Sequence, residues 1–376
     1  MTVSFKWPWM GVAIPVIIIG YLHASTTLLL RYKSKAVGLE YELFQASLAM
    51  IWISYYLAIK VPPGTPPKGY KVDRSIKPPT FWYKYCLKCK ADKPERCHHC
   101  KTCGRCVLKM DHHCPWTMNC VGYGNLPHFT RFLVWVLVGC GFGLKYYARA
   151  LIGYYRIRNL PSYLINKYVL TILVVNSLLL LFVEFTILLL FLRTMDGLMS
   201  NVTTIEDWEK DRMHRVFLRD AFWTKVRDNY SLIHPGKPFP ELTSWKINYR
   251  ELPHNSSVPA NFSFEDLVFP YDLGSGYENM VQALGPVYQW LWPWGGPEGD
   301  GLSFPKNWWN EEDELKIPFP IDGGDYGASK SGSEVKVVVD DDGETTLGNF
   351  PNELGETLDD FGVDLTTENY EMKKRV

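Results

Sequence analysis

Four long apolar stretches, separated by short polar ones, dominate the first half of the chain. Residues 10–30 run for 21 positions without a charge. At about 1.5 Å per residue, such a helix covers the roughly 30 Å hydrocarbon core of a bilayer. A cleaved signal peptide would be shorter, with a small-residue cleavage site ahead of polar sequence, and neither feature is present. Residues 41–59 give a second span, with Glu42 at the interface and Arg31, Lys33, Lys35 and Lys60 outside it. Residues 132–152 and 169–192 give the third and fourth. Lys145 and Arg149 fall near the end of the third and must snorkel or face protein. The pattern predicts an all-α polytopic membrane protein with four transmembrane helices.

An even number of spans puts residues 1–9, the loop 60–131 and everything beyond residue 193 on one side. The long loop carries more than a dozen Lys and Arg, against three in each of the two short loops. The positive-inside rule therefore favours a cytosolic long loop and cytosolic termini. Polar side chains at membrane depth, Asn176 and Glu184 in the fourth span and His23 in the first, are either functional or hydrogen-bonded to neighbouring helices.

Forty basic and forty acidic side chains leave no net charge, which speaks against nucleic acid as a partner. The cysteines change the picture more. Eight of the nine lie between Cys86 and Cys120, interleaved with His98, His99, His112 and His113. A disulfide scaffold normally belongs to a short secreted chain, so the cluster points to metal in a reducing compartment. The order is C-x2-C-x9-H-C-x2-C-x2-C-x6-H-C-x5-C, from Cys86 through Cys89, His99, Cys100, Cys103, Cys106, His113 and Cys114 to Cys120. Tetrahedral zinc takes four sulfur or nitrogen ligands, so nine candidates fill two sites with one left over.

Cys114 stands in Asp111-His112-His113-Cys114-Pro115-Trp116, beside ligand candidates whose dications favour a thiolate. If His113 binds metal, His112 stays free, with Asp111 next to it to orient the ring. That is the logic of an activated cysteine nucleophile within four residues. On a loop between two spans, such a thiolate lies at the bilayer surface, where it can handle a lipid thioester. A purely structural, non-catalytic zinc scaffold would need no such set.

These residues, with Lys93-Pro94-x-Arg96-x-His98-His99-Cys100 and Asn119-Cys120-Val121-Gly122-x-x-Asn125, closely resemble the DHHC protein S-acyltransferases. The resemblance implies four membrane helices with a cytosolic two-zinc cysteine-rich loop, residues 84–131, between helices 2 and 3. It implies one zinc on Cys86, Cys89, His99 and Cys106, and another on Cys100, Cys103, His113 and Cys120. Cys114 would carry the acyl group, His112 would be its base and Asp111 the partner of His112. Palmitoyl-CoA would be the donor and membrane-protein cysteines the acceptors. Thr203-Thr204-Ile205-Glu206 resembles a bracing motif of the family, although a local capping box gives the same pattern. Asn279 resembles an Asn that packs back on the membrane core. Pro62-Pro63-Gly64 stands where many members have Asp-Pro-Gly. Cys97 is expected as a spare buried thiol and Cys140 as packing.

For the donor, Lys93, Arg96 and His98 are candidate cations for the CoA phosphates, and Trp116 a wall of the acyl slot. Gly139 is expected to leave room for chains at least as long as palmitate. Residues 193–320 read as a cytosolic region whose Trp290-to-Trp294 run is either an interfacial belt or a core packed on the membrane domain. Residues 321–376 are acidic and expected to be disordered, with order returning near 358–363. Lys373 and Lys374, third and fourth from the end, resemble a dilysine retrieval signal for the endoplasmic reticulum. The set resembles the fungal endoplasmic-reticulum branch of the family, whose cargo includes polytopic proteins such as chitin synthase and amino-acid permeases.

Overall fold

A computed structural model describes residues 9–31, 38–72, 85–217, 223–224, 226–227, 231, 235–239, 269–307, 351–352 and 354–364. Four helices are long and apolar enough to cross a membrane: α1 (Trp9–Leu29), α2 (Leu39–Lys60), α3 (Leu126–Arg156) and α4 (Lys167–Met199). α3 packs against both α2 and α4. The shared core includes Phe44, Leu48, Ile51, Val136, Tyr147 and Leu180. Outward faces stay apolar, with Leu178, Leu181, Phe182, Phe185, Leu189 and Leu192 of α4 exposed. Such a surface suits lipid, which is as apolar as leucine.

Most polar groups inside the bundle find protein partners, whereas the buried Glu184 Oε2 of α4 has none among the described residues. Asn176 is fully buried, accepts from the Tyr21 hydroxyl at 2.8 Å and donates to the Tyr147 hydroxyl at 3.0 Å. Its role is thus to join α1, α3 and α4, since an unpaired amide is costly where water cannot reach it. The Trp52 indole points at His23 Nδ1 at 3.4 Å. Lys145 and Arg149 face protein, both bonding Glu40 at the start of α2, at 2.8 and 3.1 Å. Cys140 is buried in the bundle core.

α3 and α4 outrun the apolar stretches that mark them, α3 beginning at Leu126 and α4 ending at Met199. Both therefore project into the cysteine-rich module, which hangs from the ends of α2 and α3. The module is three two-stranded antiparallel hairpins, β1–β2 (Tyr85–Cys86, Ala91–Asp92), β3–β4 (His98–Cys100, Arg105–Val107) and β5–β6 (His112–Cys114, Asn119–Val121). Hairpins this short cannot hold themselves together in water. Their register supplies the remedy, because His99 faces Cys106 and His113 faces Cys120 across the strands. Pro62-Pro63-Gly64 acts as a brace: the Gly124 amide donates to the Pro63 carbonyl at 2.9 Å, and a Cβ on Gly124 would sit 2.5 Å from the Pro62 carbonyl oxygen.

After the bundle come α5 (Thr204–Val216) and α6 (Gly276–Leu284). Asn279 of α6 is fully buried, donating to the Met199 carbonyl and the Asp272 carboxylate at 2.7 Å each. The Trp-rich run divides: Trp290 packs with Leu126, Phe129 and Leu133 of α3, while Trp292 and Trp294 are exposed. Arg131 of α3 pins this segment, donating to the carbonyls of Gln289, Trp290 and Gly295. Residues 354–364 of the acidic tail, which include the stretch 358–363 where order is expected to return, bury Leu358, Phe361 and Val363 against Val107, Met110, Ile205 and Trp208. Its hydrophobic residues, not its charges, decide that local order. The acidic block 340–342 and the terminal lysines lie outside the described residues.

Candidate active site

Two clusters of four side chains gather in the cysteine-rich module: Cys86, Cys89, His99 and Cys106, and Cys100, Cys103, His113 and Cys120. In the first, His99 Nδ1 lies 3.3, 3.4 and 3.7 Å from the three sulfurs. In the second, His113 Nδ1 lies 3.6, 3.4 and 3.6 Å from its three. A zinc ion with bonds of about 2.3 Å to sulfur and 2.0 Å to nitrogen makes a tetrahedron whose S–N edge is about 3.5 Å. The donor set and its spacing fit zinc at both places. His99 and Cys100 are consecutive in β3, so their side chains leave opposite faces of the strand and each serves a different cluster. Cys97, buried beside Cys86 and Cys106, belongs to neither set.

Cys114 is buried on β5 beside the second cluster. His112, two residues earlier, hydrogen-bonds Cys114 and turns Nδ1 to Asp111 Oδ2 at 2.7 Å. Burial disfavours the imidazolium, but Asp111 and Cys114 more than offset it and raise His112 to about 10. Burial also opposes the Cys114 thiolate, yet His112 and two hydrogen bonds from Thr117 hold the thiol below its usual value. The arrangement favours a thiolate–imidazolium pair, which is the reactive form of a cysteine. Burial pushes the Asp111 carboxyl up, and the hydrogen bonds from His112 and Thr204 bring it below the ordinary range.

Thr204 does this from the start of α5. Its amide donates to Asp111 Oδ1 at 2.9 Å and its hydroxyl to the Asp111 carbonyl at 2.5 Å. The Thr203-to-Glu206 motif is also a capping box, Thr203 Oγ1 accepting from the Glu206 amide and Glu206 Oε2 from the Thr203 amide. Both readings of the motif describe one structure. Glu206 in addition clasps Arg96 through two 2.6 Å hydrogen bonds.

That clasp overturns an expectation. Lys93, Arg96 and His98 present no basic face to solvent, being 3, 7 and 5% exposed. Arg96 is enclosed by Tyr271 and Phe304, with its carbon 4.4 and 5.1 Å from their ring centres. Gly139 also differs from its expected place. Ile51 of α2 takes the space the glycine leaves, 2.8 Å from a Cβ placed there. The void alongside it is about 50 Å³.

The larger cavity, about 1040 Å³, opens at Cys114, at the upper end of the range for small-molecule sites. Trp116 lies along it, together with Ile14, Ile18, Phe132, Val136 and Ile187 from three membrane helices. Lys101, Arg193 and Lys210 line its polar end. Two supports escaped the sequence. Gly11 lets α1 touch the loop beyond Cys114, a Cβ there falling 2.0 Å from the Pro115 carbonyl oxygen. Tyr55 of α2 donates to the Trp116 carbonyl at 2.7 Å.

Comparison with known proteins agrees with this geometry. Residues 80–211 match the family described as DHHC palmitoyltransferase. The chain is 40% identical to Palmitoyltransferase PFA4 of Debaryomyces hansenii, over 99% of this chain and 97% of that protein. It is 38% identical to Palmitoyltransferase PFA4 of Saccharomyces cerevisiae, over 98% of this chain and all of that protein. For the Candida albicans protein of that name the identity is 35%, over 97% and 99%.

Proposed function

Because this chain belongs to the DHHC palmitoyltransferase family and is a multi-pass protein S-palmitoyltransferase, we propose that it works by a ping-pong transfer through Cys114. The observation that carries this is the Asp111–His112–Cys114 relay at the mouth of an apolar cavity. The Cys114 thiolate attacks the thioester carbonyl of palmitoyl-CoA, and the tetrahedral adduct collapses with loss of the CoA thiolate, which takes the proton held on His112. His112 then accepts the proton of an acceptor cysteine. The new thiolate attacks acyl-Cys114, forms the product thioester and releases the Cys114 thiolate. Zinc in both clusters would have four protein ligands, so it supplies folding and orientation rather than an open coordination position.

The acyl chain would lie in the large cavity, with Trp116 as a wall, and the acceptors would be cysteines of membrane proteins. On the resemblance to the fungal branch, polytopic cargo such as chitin synthase and amino-acid permeases fits this class. On the same resemblance the enzyme would reside in the endoplasmic-reticulum membrane, and the positive charge of the loop 60–131 supports cytosolic termini. Brief exposure of the purified enzyme to palmitoyl-CoA should give an acylated Cys114 peptide in a mass spectrum, and a chase with a cysteine-bearing membrane peptide should move the acyl group to it. Product formed without any acyl-Cys114 at early times would rule the two-step route out.

A further inference from the structure

Residues 354–364 form a strap across the cysteine-rich module. Leu358, Phe361 and Val363 are buried beneath it. Its backbone is stitched down by Lys101 N to Gly362 O at 3.0 Å, His113 N to Phe361 O at 2.8 Å and Asp364 N to His99 O at 2.8 Å. Gly362 has φ +81°, and a Cβ there would lie 2.6 Å from His113 Cβ, so the chain passes directly against β5. Held this way, the strap sets its acids over the polar end of the large cavity. Glu356 meets Arg193 through bonds of 2.7 and 3.1 Å, and Asp359 meets Lys101 at 2.5 Å. Arg193 holds the Glu356 carboxyl below its ordinary value.

The donor's chemistry makes this arrangement costly to leave unchanged. With the thioester at Cys114 and the acyl chain between the helices, the phosphates at the far end of CoA must lie at the polar mouth. Six carboxylates and four lysine or arginine side chains line the cavity, and three of the six, Glu356, Asp359 and Asp360, belong to the strap. A polyanion entering there meets Lys101 and Arg193 already engaged by carboxylates.

Taking acyl-CoA as the donor, from the function proposed above, we infer that Lys101, Arg193 and Lys210 form its phosphate-binding subsite, and that Glu356 and Asp359 occupy it until the donor displaces them. The strap's acidic edge is a built-in competitor for the phosphates, while its apolar edge stays anchored. Neutralising the acids frees the cations; neutralising the cations removes the subsite.

Free coenzyme A, a soluble carrier of the same phosphates, is the probe. Its inhibition constant against Cys114 acylation is measured with the full-length enzyme in lipid nanodiscs. Glu356→Gln/Asp359→Asn should bind it about fivefold more tightly, the scale of two partly exposed ion pairs. Lys101→Gln/Arg193→Gln should bind it more weakly by at least as much. Asp359→Asn alone, at a half-exposed position, should give about half the logarithmic effect and carries little folding risk. Cys114 acylation of ordinary extent with the same inhibition constant in all three variants overturns the subsite and the strap while leaving acyl transfer intact. Absence of acyl-Cys114 in the wild type would count against the donor reading instead.

Discussion

The two metal clusters have the same donors, three cysteines and a histidine, at closely matched distances, yet they stand in different relations to the chemistry. The first ties β1–β2 to β3–β4 and has no neighbour in the relay. The second uses His113, whose sequence neighbours are His112 and Cys114 and whose strand is the one Asp111 leads into. The same donor set can therefore be purely architectural in one place and fix the position of Cys114 in another. What separates them is one residue of spacing on a strand, since period-two alternation sends His113 to the metal and leaves His112 and Cys114 together.

Removing a ligand from each cluster should expose that difference most strongly. Cys120→Ser is expected to release one zinc per chain and abolish acylation, because β5 loses its cross-strand anchor. Cys89→Ser, at an exposed position, should also lower zinc content but retain measurable acylation. Zinc by atomic emission and acyl label on the same preparations checks both. Equal loss of activity at equal zinc would erase the distinction between the clusters.

Within the second region, His112→Ala should slow acylation about 10²- to 10⁴-fold with zinc retained. The Cys114 thiol lies below its usual value, so its thiolate persists to lower pH than that of an unassisted cysteine and is lost as pH falls through that depressed value. Without His112, iodoacetamide reactivity should instead climb with pH toward the free-thiol value of about 8.5. A profile unmoved by the substitution would show that His112 does not hold the thiolate. The smallest effect belongs to Thr204→Val, which leaves the Asp111 carbonyl without its hydroxyl donor. A loss of about 10-fold or somewhat more in acylation rate is expected, the scale for groups that orient a site from behind. A rate equal to wild type would confine Thr204 to capping α5.

The same contrast explains what could be read from the chain. The four spans are legible because lipid imposes length and apolarity on each one separately. The ligand positions are legible because hairpin register ties them to fixed spacings, and Cys114 stands out as their remainder. Arg96 looks like a surface cation in the sequence because its burial depends on Glu206, Tyr271 and Phe304, which no local pattern joins to it. Gly139 misleads for a similar reason, the space it leaves being filled by Ile51 from another helix. The strap is faintly visible in Leu358, Phe361 and Val363, but its seat on the second cluster is set by partners some 250 residues earlier in the sequence.

Cys114 stands outside both four-residue clusters, and the acyl group is expected on it. Hydroxylamine-sensitive incorporation of labelled palmitate into wild type and Cys114→Ala, with zinc quantified in each, tests it most directly. Label should disappear from Cys114→Ala while both proteins hold two zincs per chain. Label persisting in that variant, or a zinc lost along with the label, would contradict it.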